Sequence, residues 1–239
     1  MNEKDSFKKL AHIISQYLRL PLSDDSIPGA FMEGVLAFIH KAERLNTYDF
    51  VDVVDRKQGI GWQVKSTKAT TPVTWKRAKI PNAEKLIQGS NLNAAGLQKL
   101  GNSIINFCNE HAIESINHYG LSEIRYSRLI TFDDGRIKYL ERKLCDNKNP
   151  IIFDPSMYKW KWSTPKITKG KEQLPALHGT DIRTGKKAWA WHGLGENQLH
   201  FSGESLWWED GVTNSIEFEY PKPEDRLGLE ELIALLDKL

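Results

Sequence analysis

Three polar residues in one short segment have the types and spacing to act on a phosphate ester. Asp52, Gln63 and Lys65 lie within residues 48–67, YDFVDVVDRKQGIGWQVKST. A carboxylate and an amide oxygen are ligands that a hard cation accepts, and an ammonium group stabilises negative charge on phosphoryl oxygens. Cutting a phosphodiester requires both functions together with an activated water. The three residues therefore suggest metal-assisted phosphodiester hydrolysis.

The residues around this trio predict the element that positions it. Valines, an isoleucine and a tryptophan predict two strands, Tyr48–Asp55 and Ile60–Ser66, joined by a four-residue turn. With that turn, the last residue of the first strand pairs with the first residue of the second, and Asp52 falls opposite Gln63. Lys65 lies two residues further along the same face. The hairpin thus brings the three polar groups together.

The chemistry predicts Mg²⁺ as the cofactor, because Mg²⁺ is held by one or two carboxylates together with waters and substrate phosphate. Asp52 would be the main metal ligand, and Gln63 would add a neutral carbonyl oxygen. Lys65 would stabilise the charge that develops on the phosphoryl oxygens, or would orient and deprotonate the attacking water.

Other carboxylates nearby have different interpretations. Asp49 is an alternative to Asp52, although it needs an odd loop or a bulge to reach the face of Gln63. Asp55 is expected to cap the turn. Glu33 lies on the preceding helix, on a stripe of mostly small residues that would let it approach the hairpin as a further catalytic carboxylate. The alternative is an ordinary glutamate facing solvent.

The remaining pattern predicts an α/β protein with a mixed central β-sheet flanked by helices. We divide the chain into a core at 1–150 and a β-rich extension with a closing helix at 151–239, or treat it as one continuous domain. The predicted helices are Ser6–Leu20, Ala30–Leu45 with Phe38 in its apolar stripe, Asn93–Tyr119 and Leu227–Leu239. In the last of these, the residues expected to be buried are Leu229, Leu232, Ile233, Leu235 and Leu236. Two further strands are predicted at Glu123–Phe132 and Arg136–Leu144.

Basic residues are unevenly distributed, although the net charge is only +2. Residues 56–79 contain seven lysines and arginines and no acidic residue, which favours contact with nucleic acid. Six of the eight tryptophans lie in the extension, where we expect them to form a small β-core. The candidate DNA-binding residues are Lys68, Lys76, Arg77 and Lys79 for the backbone, and Arg183, Lys186, Lys187, His192, Asn197 and Gln198 for the bases.

Composition restricts the class of protein. A chain with 40% hydrophobic and 27% charged residues is typical of a soluble globular protein. No apolar run is long enough to span a membrane, and the first ten residues lack the apolar core of a signal peptide. Cys108 and Cys145 are too few for a disulfide framework or a cysteine-based zinc site. These features predict a cytoplasmic location.

The pattern Asp52-Val-Val-Asp, seven residues, then Gln63-Val-Lys65 resembles the PD-(D/E)xK nuclease superfamily, and within it the type II restriction endonucleases. The resemblance implies a restriction-endonuclease-like fold in a prokaryotic protein that cuts double-stranded DNA with Mg²⁺, as part of a restriction-modification system. It also implies metal binding by Asp52 and Gln63, a role for Lys65 at the reacting phosphate, and a homodimer. Val51 stands where the motif has proline, and Gln63 replaces its acidic residue.

Three alternatives remain. A DNA-repair or junction nuclease of the same fold would share the site but lack a large recognition region. A DNA-binding module that has lost catalysis would fit the neutral Gln63. A carbohydrate-binding domain built on the tryptophans would have no affinity for DNA.

Overall fold

The computed structural model describes residues 3–23, 26–46, 49–168, 170–208 and 213–238. The predicted first strand begins at Tyr48 and the predicted closing helix ends at Leu239, and both of these residues lie outside the described ranges. None of the helices within these ranges is both long and apolar enough to cross a membrane.

The described residues form helices and strands in the mixture that the α/β prediction requires. The helices are α1 (Glu3–Leu18), α2 (Gly29–His40), α3 (Ala83–Ser90), α4 (Ala94–Tyr119) and α5 (Leu229–Leu236). The strands are β1 (Glu43–Arg44), β2 (Val53–Asp55), β3 (Ile60–Lys68), β4 (Val73–Arg77), β5 (Glu123–Thr131), β6 (Arg136–Asp146), β7 (Tyr158–Trp162), β8 (Lys166–Thr168), β9 (Lys171–Gln173), β10 (Leu177–Asp181), β11 (Lys187–Trp191), β12 (Gln198–Phe201) and β13 (Asn214–Glu219).

The chain forms two compact units, and the first comprises Met1–Thr71, Tyr119–Asp146 and Val212–Leu239. Its six-stranded sheet has the order β1-β2-β3-β5-β6-β13. Strands β3 and β5 run parallel, whereas the other neighbours are antiparallel. The predicted mixed sheet is therefore present.

Helices α1 and α2 pack on one face of this sheet and form its core. The helices contribute aliphatic residues such as Ile14 and Met32, and the sheet contributes Val53, Trp62 and Val64. Because side chains alternate between the two faces of a strand, burial of Trp62 and Val64 on the helix side directs the residues between and after them to the other face. Gln63 and Lys65 of the predicted site are those residues.

The second unit comprises Pro72–His118 and Asn147–Gly211. Its antiparallel sheet has the order β4-β12-β11-β10-β7, and β8 and β9 form a separate two-stranded ribbon. Aromatic rings fill this unit: the ring centroids of Phe153 and Trp189 lie 4.8 Å apart, and those of Trp189 and Phe201 lie 4.4 Å apart. The expectation that the tryptophans of the extension form a β-core is confirmed for Trp160, Trp189 and Trp191, which are buried. Trp75 of β4 is buried in the same unit.

The two units differ from the division predicted at residue 150. Strand β13 and helix α5 belong to the first unit, while β4 and α4 up to His118 belong to the second. The chain leaves the first unit after Thr71 and returns at Tyr119. Contacts between residues that are far apart in the sequence create these units, so a single boundary along the chain does not describe them.

Three local predictions are wrong. The first predicted strand is reduced to β2, because its pairing is irregular before Val53. Helix α2 ends at His40 instead of Leu45, because Lys41 adopts a left-handed conformation (φ 53°) that caps it. In α5 the predicted buried residues are largely exposed, by 45–57% for four of them: Leu229, Ile233, Leu235 and Leu236. Periodicity predicts which residues share a helix face, but it does not predict whether that face is covered.

Candidate active site

The turn between β2 and β3 has the predicted length and cap. The Oδ1 atom of Asp55 accepts hydrogen bonds from the backbone N–H groups of Lys57 (2.9 Å) and Gln58 (3.0 Å). Gly59 closes the turn at φ 67°, a conformation that glycine adopts without steric cost. Asp55 then pairs with Ile60. The predicted four-residue turn is therefore confirmed, and so is the capping role of Asp55.

Asp52 lies where the backbone pairing becomes irregular. The pair Val53–Trp62 follows the predicted register. The N–H of Asp52, however, donates to the carbonyl of Trp62 (2.7 Å), one residue away from the position that this register requires. The strand pairing therefore shifts by one residue at Asp52. A shift of this kind changes the direction in which a side chain points.

The carboxylate of Asp52 takes the place of a backbone acceptor on β3. Its Oδ2 atom accepts the N–H of Val64 at 2.7 Å, while its own carbonyl accepts the N–H of Leu45 at 2.9 Å. Val64 is the residue between Gln63 and Lys65. Asp52 is therefore fixed against the β3 backbone between the two residues with which it is predicted to act.

Gln63 and Lys65 share the sheet face opposite to α1 and α2. Gln63 is only 2% exposed, whereas Lys65 is half-buried. Within the described ranges, the ammonium group of Lys65 has no ion-pair or hydrogen-bond partner. A half-buried ammonium group without a carboxylate partner is available to an anionic ligand that approaches this face.

Arg128 on β5 was not among the sequence-predicted site residues. It pairs directly with Lys65 in the parallel β3–β5 ladder, so the two side chains leave the sheet on the same face. Arg128 is 2% exposed, and its Nη2 atom donates to the hydroxyl of Thr67 at 2.8 Å. A second cation therefore lies next to Lys65. The only feature in the sequence that draws attention to Arg128 is the position of an arginine in the middle of the predicted strand Glu123–Phe132. That position does not reveal that Lys65 is its neighbour on the adjacent strand.

Asp49 has a different environment from Asp52. The hydroxyl of Tyr119 donates a hydrogen bond to the Oδ2 atom of Asp49, and the guanidinium carbon of Arg56 lies 5.1 Å from the centroid of the Tyr119 ring. The pairing shift at Asp52 removes the strand-parity argument against Asp49, because that argument assumed a regular ladder. Asp52 is nevertheless the carboxylate that contacts the β3 backbone between Gln63 and Lys65.

Glu33 forms an ion pair with β1. Its Oε2 atom lies 2.8 Å from the Nε atom of Arg44, and Arg44 is its only recorded partner in the described part of the chain. Arg44 is adjacent to Leu45, which binds the carbonyl of Asp52. Glu33 is thus linked to the hairpin through β1, and we keep it out of the set of metal ligands.

A buried polar network supports the other face of β3. The indole N–H of Trp62 donates to the carboxylate of Glu141, and the Tyr139 hydroxyl accepts from Ser127 (3.0 Å) and approaches the other Glu141 oxygen at 3.4 Å. Arg125 lies 3.7 Å from the same carboxylate. Burial, followed by the charge of Glu141, raises the pKa of Tyr139. These contacts fix Trp62, which directly precedes Gln63 in the chain.

The candidate DNA-binding residues fall into separate groups. Lys68 is exposed at the end of β3 in the first unit. In the second unit, Arg77 on β4 pairs with Gln198 on β12 at one end of the sheet. The N–H of His192 donates to the Gln198 carbonyl at the same end, and Asn197 directly precedes Gln198. Lys76 and Lys79 flank Arg77 in the sequence. The other end of β11, roughly 15 Å away at about 3.4 Å per residue, carries Arg183, Lys186 and Lys187.

Two of these residues already have partners. The Nε atom of Arg183 lies 3.1 Å from the Oδ1 atom of Asp181, and this hydrogen bond lowers the pKa of Asp181. The amide nitrogen of Gln198 donates to Glu196 at 2.6 Å, and its oxygen lies 3.0 Å from the Nε2 atom of His200. Exposed Arg77, Lys79, Lys186 and Lys187 are therefore the more accessible phosphate ligands of this unit.

The donor set at the hairpin fits a hard cation in its chemistry. In the described ranges, no three histidine, cysteine, aspartate or glutamate side chains cluster as a metal site. A cation at this position would be held by the Asp52 carboxylate and the Gln63 amide oxygen, with water and phosphate completing the shell. Mg²⁺ is commonly bound in this way, by few protein oxygens and several waters.

No family model matches the chain, and no curated protein or solved structure matches it either. The resemblance to a nuclease superfamily is therefore based on the hairpin residues alone. The function has to be argued from the geometry of Asp52, Gln63 and Lys65.

Proposed function

We propose that the protein is a Mg²⁺-dependent endonuclease that hydrolyses phosphodiester bonds in double-stranded DNA, and that it acts as a type II restriction endonuclease. The observation that supports this proposal most strongly is the hydrogen bond from the Val64 N–H to the Asp52 carboxylate. It connects the aspartate to the segment Gln63–Lys65 without relying on a regular strand register.

In the proposed reaction, Asp52 and Gln63 would hold the cation, which would supply a bound water of lowered pKa and neutralise phosphoryl charge. Lys65 contributes an ammonium group beside the scissile phosphate and stabilises its developing negative charge. Arg128 adds a fixed positive charge on the same face. The network beneath Trp62 keeps β3 from moving when the negatively charged substrate binds.

Two features of the fold agree with this proposal. Helix α2, hairpin β2–β3, helix α4 and strand β5 follow one another along the chain, with β4 and α3 between β3 and α4, and β5 is parallel to β3 in a mixed sheet. The second unit offers exposed basic and polar side chains for holding DNA. A palindromic target would suit a twofold dimer of this chain.

A DNA-binding module without catalysis is the second candidate, and the buried neutral Gln63 favours it. Replacing a carboxylate by an amide weakens the attraction for a cation. Such a module would bind DNA with the same affinity whether or not Mg²⁺ is present.

Digestion of plasmid DNA with and without Mg²⁺ tests the proposal. We expect discrete fragments with Mg²⁺ and intact plasmid in EDTA. Smearing or structure-selective nicking would instead indicate a repair or junction nuclease. Intact plasmid with retained DNA binding would overturn the catalytic assignment.

Variants of the two aspartates test which carboxylate is the ligand. We expect Asp52→Asn to reduce the cutting rate at least about 100-fold, while Asp49→Asn and the exposed control Glu43→Gln cut within about threefold of the wild type. If Asp49→Asn were the inactive variant, the metal ligand would be Asp49.

A further inference from the structure

A cavity of the first unit lies away from the Gln63–Lys65 face, and neither of these residues lines it. It has a volume of about 710 Å³, within the range of roughly 300–1,000 Å³ that is typical of small-molecule sites. We call it the α2 pocket, because residues near the end of α2 form most of its wall. It is lined by Ser6, Lys9, Ala37, Phe38, Ile39, His40, Lys41 and Gln58.

The charged groups in this wall are basic. Lys9 and Lys41 line the cavity, and none of the lining residues is acidic. Neither lysine forms an ion pair within the described ranges. The ring of His40 is stacked on Trp62, with centroids 4.7 Å apart, which holds this part of the wall on the core. Two ammonium groups without carboxylate partners at one cavity favour an anion.

An aromatic ring, that of Phe38, lines the same cavity. Phe38 was expected to belong to the apolar stripe of α2, but it is 64% exposed. The Nζ atom of Lys9 lies 4.7 Å from the centroid of its ring. An exposed ring of this kind offers a stacking surface for a planar group, and base stacking tolerates any base because each has a π-face.

The wall is held in place by the backbone. Lys41 caps α2 in a left-handed conformation, with its N–H directed to the carbonyls of Ala37 and Phe38. The N–H of Ala42 also binds the Ala37 carbonyl, at 2.9 Å. These bonds satisfy carbonyls that would otherwise present negative charge at the helix end. Gln58 is fixed through its N–H to Asp55. A wall fixed before binding lowers the entropic cost of binding.

We propose that the α2 pocket binds a nucleotide. Lys9 and Lys41 hold the phosphate groups, the base stacks on Phe38, and the Gln58 side chain offers both a donor and an acceptor to the base edge. The same chemistry fits a free nucleoside phosphate and a nucleotide within a single strand. The pocket does not depend on the proposed cleavage chemistry.

Calorimetric titration of the full-length protein separates the contributions of charge and stacking. The probes are ATP, inorganic tripolyphosphate and a ten-nucleotide single-stranded DNA. We expect ATP to bind at least about fivefold more tightly than tripolyphosphate, because only ATP can stack. If only the oligonucleotide binds and Lys41→Glu weakens that binding, the ligand is a nucleotide within a strand; oligonucleotide binding that Lys41→Glu leaves unchanged would overturn the proposal. If neither ATP nor the oligonucleotide binds, the proposal is overturned.

Three variants locate the binding. We expect Lys41→Glu to weaken ATP binding at least about tenfold, and Phe38→Ala to weaken ATP but not tripolyphosphate. Lys57→Glu is the matched control, because Lys57 is exposed next to Gln58, does not line the cavity and changes the net charge equally. Equal losses in Lys41→Glu and Lys57→Glu, or an unchanged ATP affinity in Phe38→Ala, would overturn the proposal. Lys65→Ala should bind ATP as the wild type does, which keeps this test independent of cleavage.

Discussion

The two sheets of this protein fill their cores with different chemistry. The first unit has long strands, and β5, of nine residues, buries Ser127 and Arg128 among apolar neighbours. The second unit has short strands, and β11, of five residues, buries Trp189 and Trp191. In the first sheet Ser127 donates to the Tyr139 hydroxyl and Arg128 to the Thr67 hydroxyl, whereas the second sheet is held mainly by ring packing. The comparison indicates that specific polar contacts contribute to the stability of the first unit and that aromatic packing dominates in the second.

The largest expected effect comes from removing one hydrogen-bond donor from the first core. Trp62→Phe leaves the carboxylate of Glu141 without its indole donor, and should lower the free energy of unfolding by about 2–3 kcal/mol. Trp160→Phe is the matched change in the second unit. The indole N–H of Trp160 is buried without a hydrogen bond among the described residues, so we expect a loss of about 1 kcal/mol. Urea unfolding measures both, and equal losses would contradict the distinction between the two cores.

Glycine substitutions test how tightly the second unit is packed. A Cβ atom at Gly101 on α4 would lie 2.2 Å from Trp160, whereas one at Gly34 on α2 would meet nothing within 4 Å. We expect Gly101→Ala to lower the stability by about 1–3 kcal/mol. Gly34→Ala should raise it by up to about 1 kcal/mol through helix propensity. Thermal unfolding of the two variants gives the comparison, and a stabilised Gly101→Ala protein would show that the aromatic core is loosely packed.

Acid should affect the two units through different carboxylates. The hydrogen bond from Arg183 lowers the pKa of Asp181, which is nearly buried in the second unit. A lowered folded pKa stabilises the protein above the ordinary aspartate value of about 3.9, and this stabilisation is lost as the pH falls through the folded value. Asp181→Asn should therefore be less stable than the wild type by about 1 kcal/mol at pH 7, and the difference should shrink as the pH falls below the ordinary aspartate value.

An exposed aspartate of the first unit provides the control for that measurement. Arg136 also lowers the pKa of Asp134, but water surrounds both groups and screens their interaction. Asp134→Asn should unfold as the wild type does at every pH. A pH-dependent difference as large as that of Asp181→Asn would mean that burial is not what distinguishes the two sites.

The smallest effect concerns the two thiols, one in each unit. Both cysteines are free, and burial raises the pKa of Cys108 and of Cys145 to about 12. Because the thiolate is the reactive form, neither should react with Ellman's reagent in the native protein at pH 8. Both should react in guanidinium chloride. A thiol that reacts under native conditions would identify the unit that opens first.

Local interactions explain which parts of the fold could be predicted. The four-residue turn follows from Asp55, whose partners are two and three residues away. The long helix α4 ends beside Gly120, as its sequence indicates. The shortened β2 could not be predicted, because the irregular bonds of Asp52 involve Trp62 and Leu45, and no local pattern encodes them.

The candidate site could likewise be predicted from the sequence only in part. The residue types of Asp52, Gln63 and Lys65 and the register of β2 with β3 could be predicted from spacing. The proximity of Arg128 to Lys65 could not be predicted, because Arg128 lies 63 residues later in the chain and becomes a neighbour only through the parallel pairing of β3 and β5. The basic α2 pocket was missed because Phe38 fits an apolar stripe in the sequence, and only the structure shows that the ring is exposed.

The most direct test of the central claim is the single-turnover rate of plasmid cleavage by Lys65→Ala in Mg²⁺. Lys57→Ala, an exposed lysine in the adjacent turn, is the control. We predict that Lys65→Ala cuts at least about 100-fold more slowly while it folds and binds DNA as the wild type does, and that Lys57→Ala is unaffected. Cleavage by Lys65→Ala at the wild-type rate would contradict the assignment of this hairpin as the catalytic site.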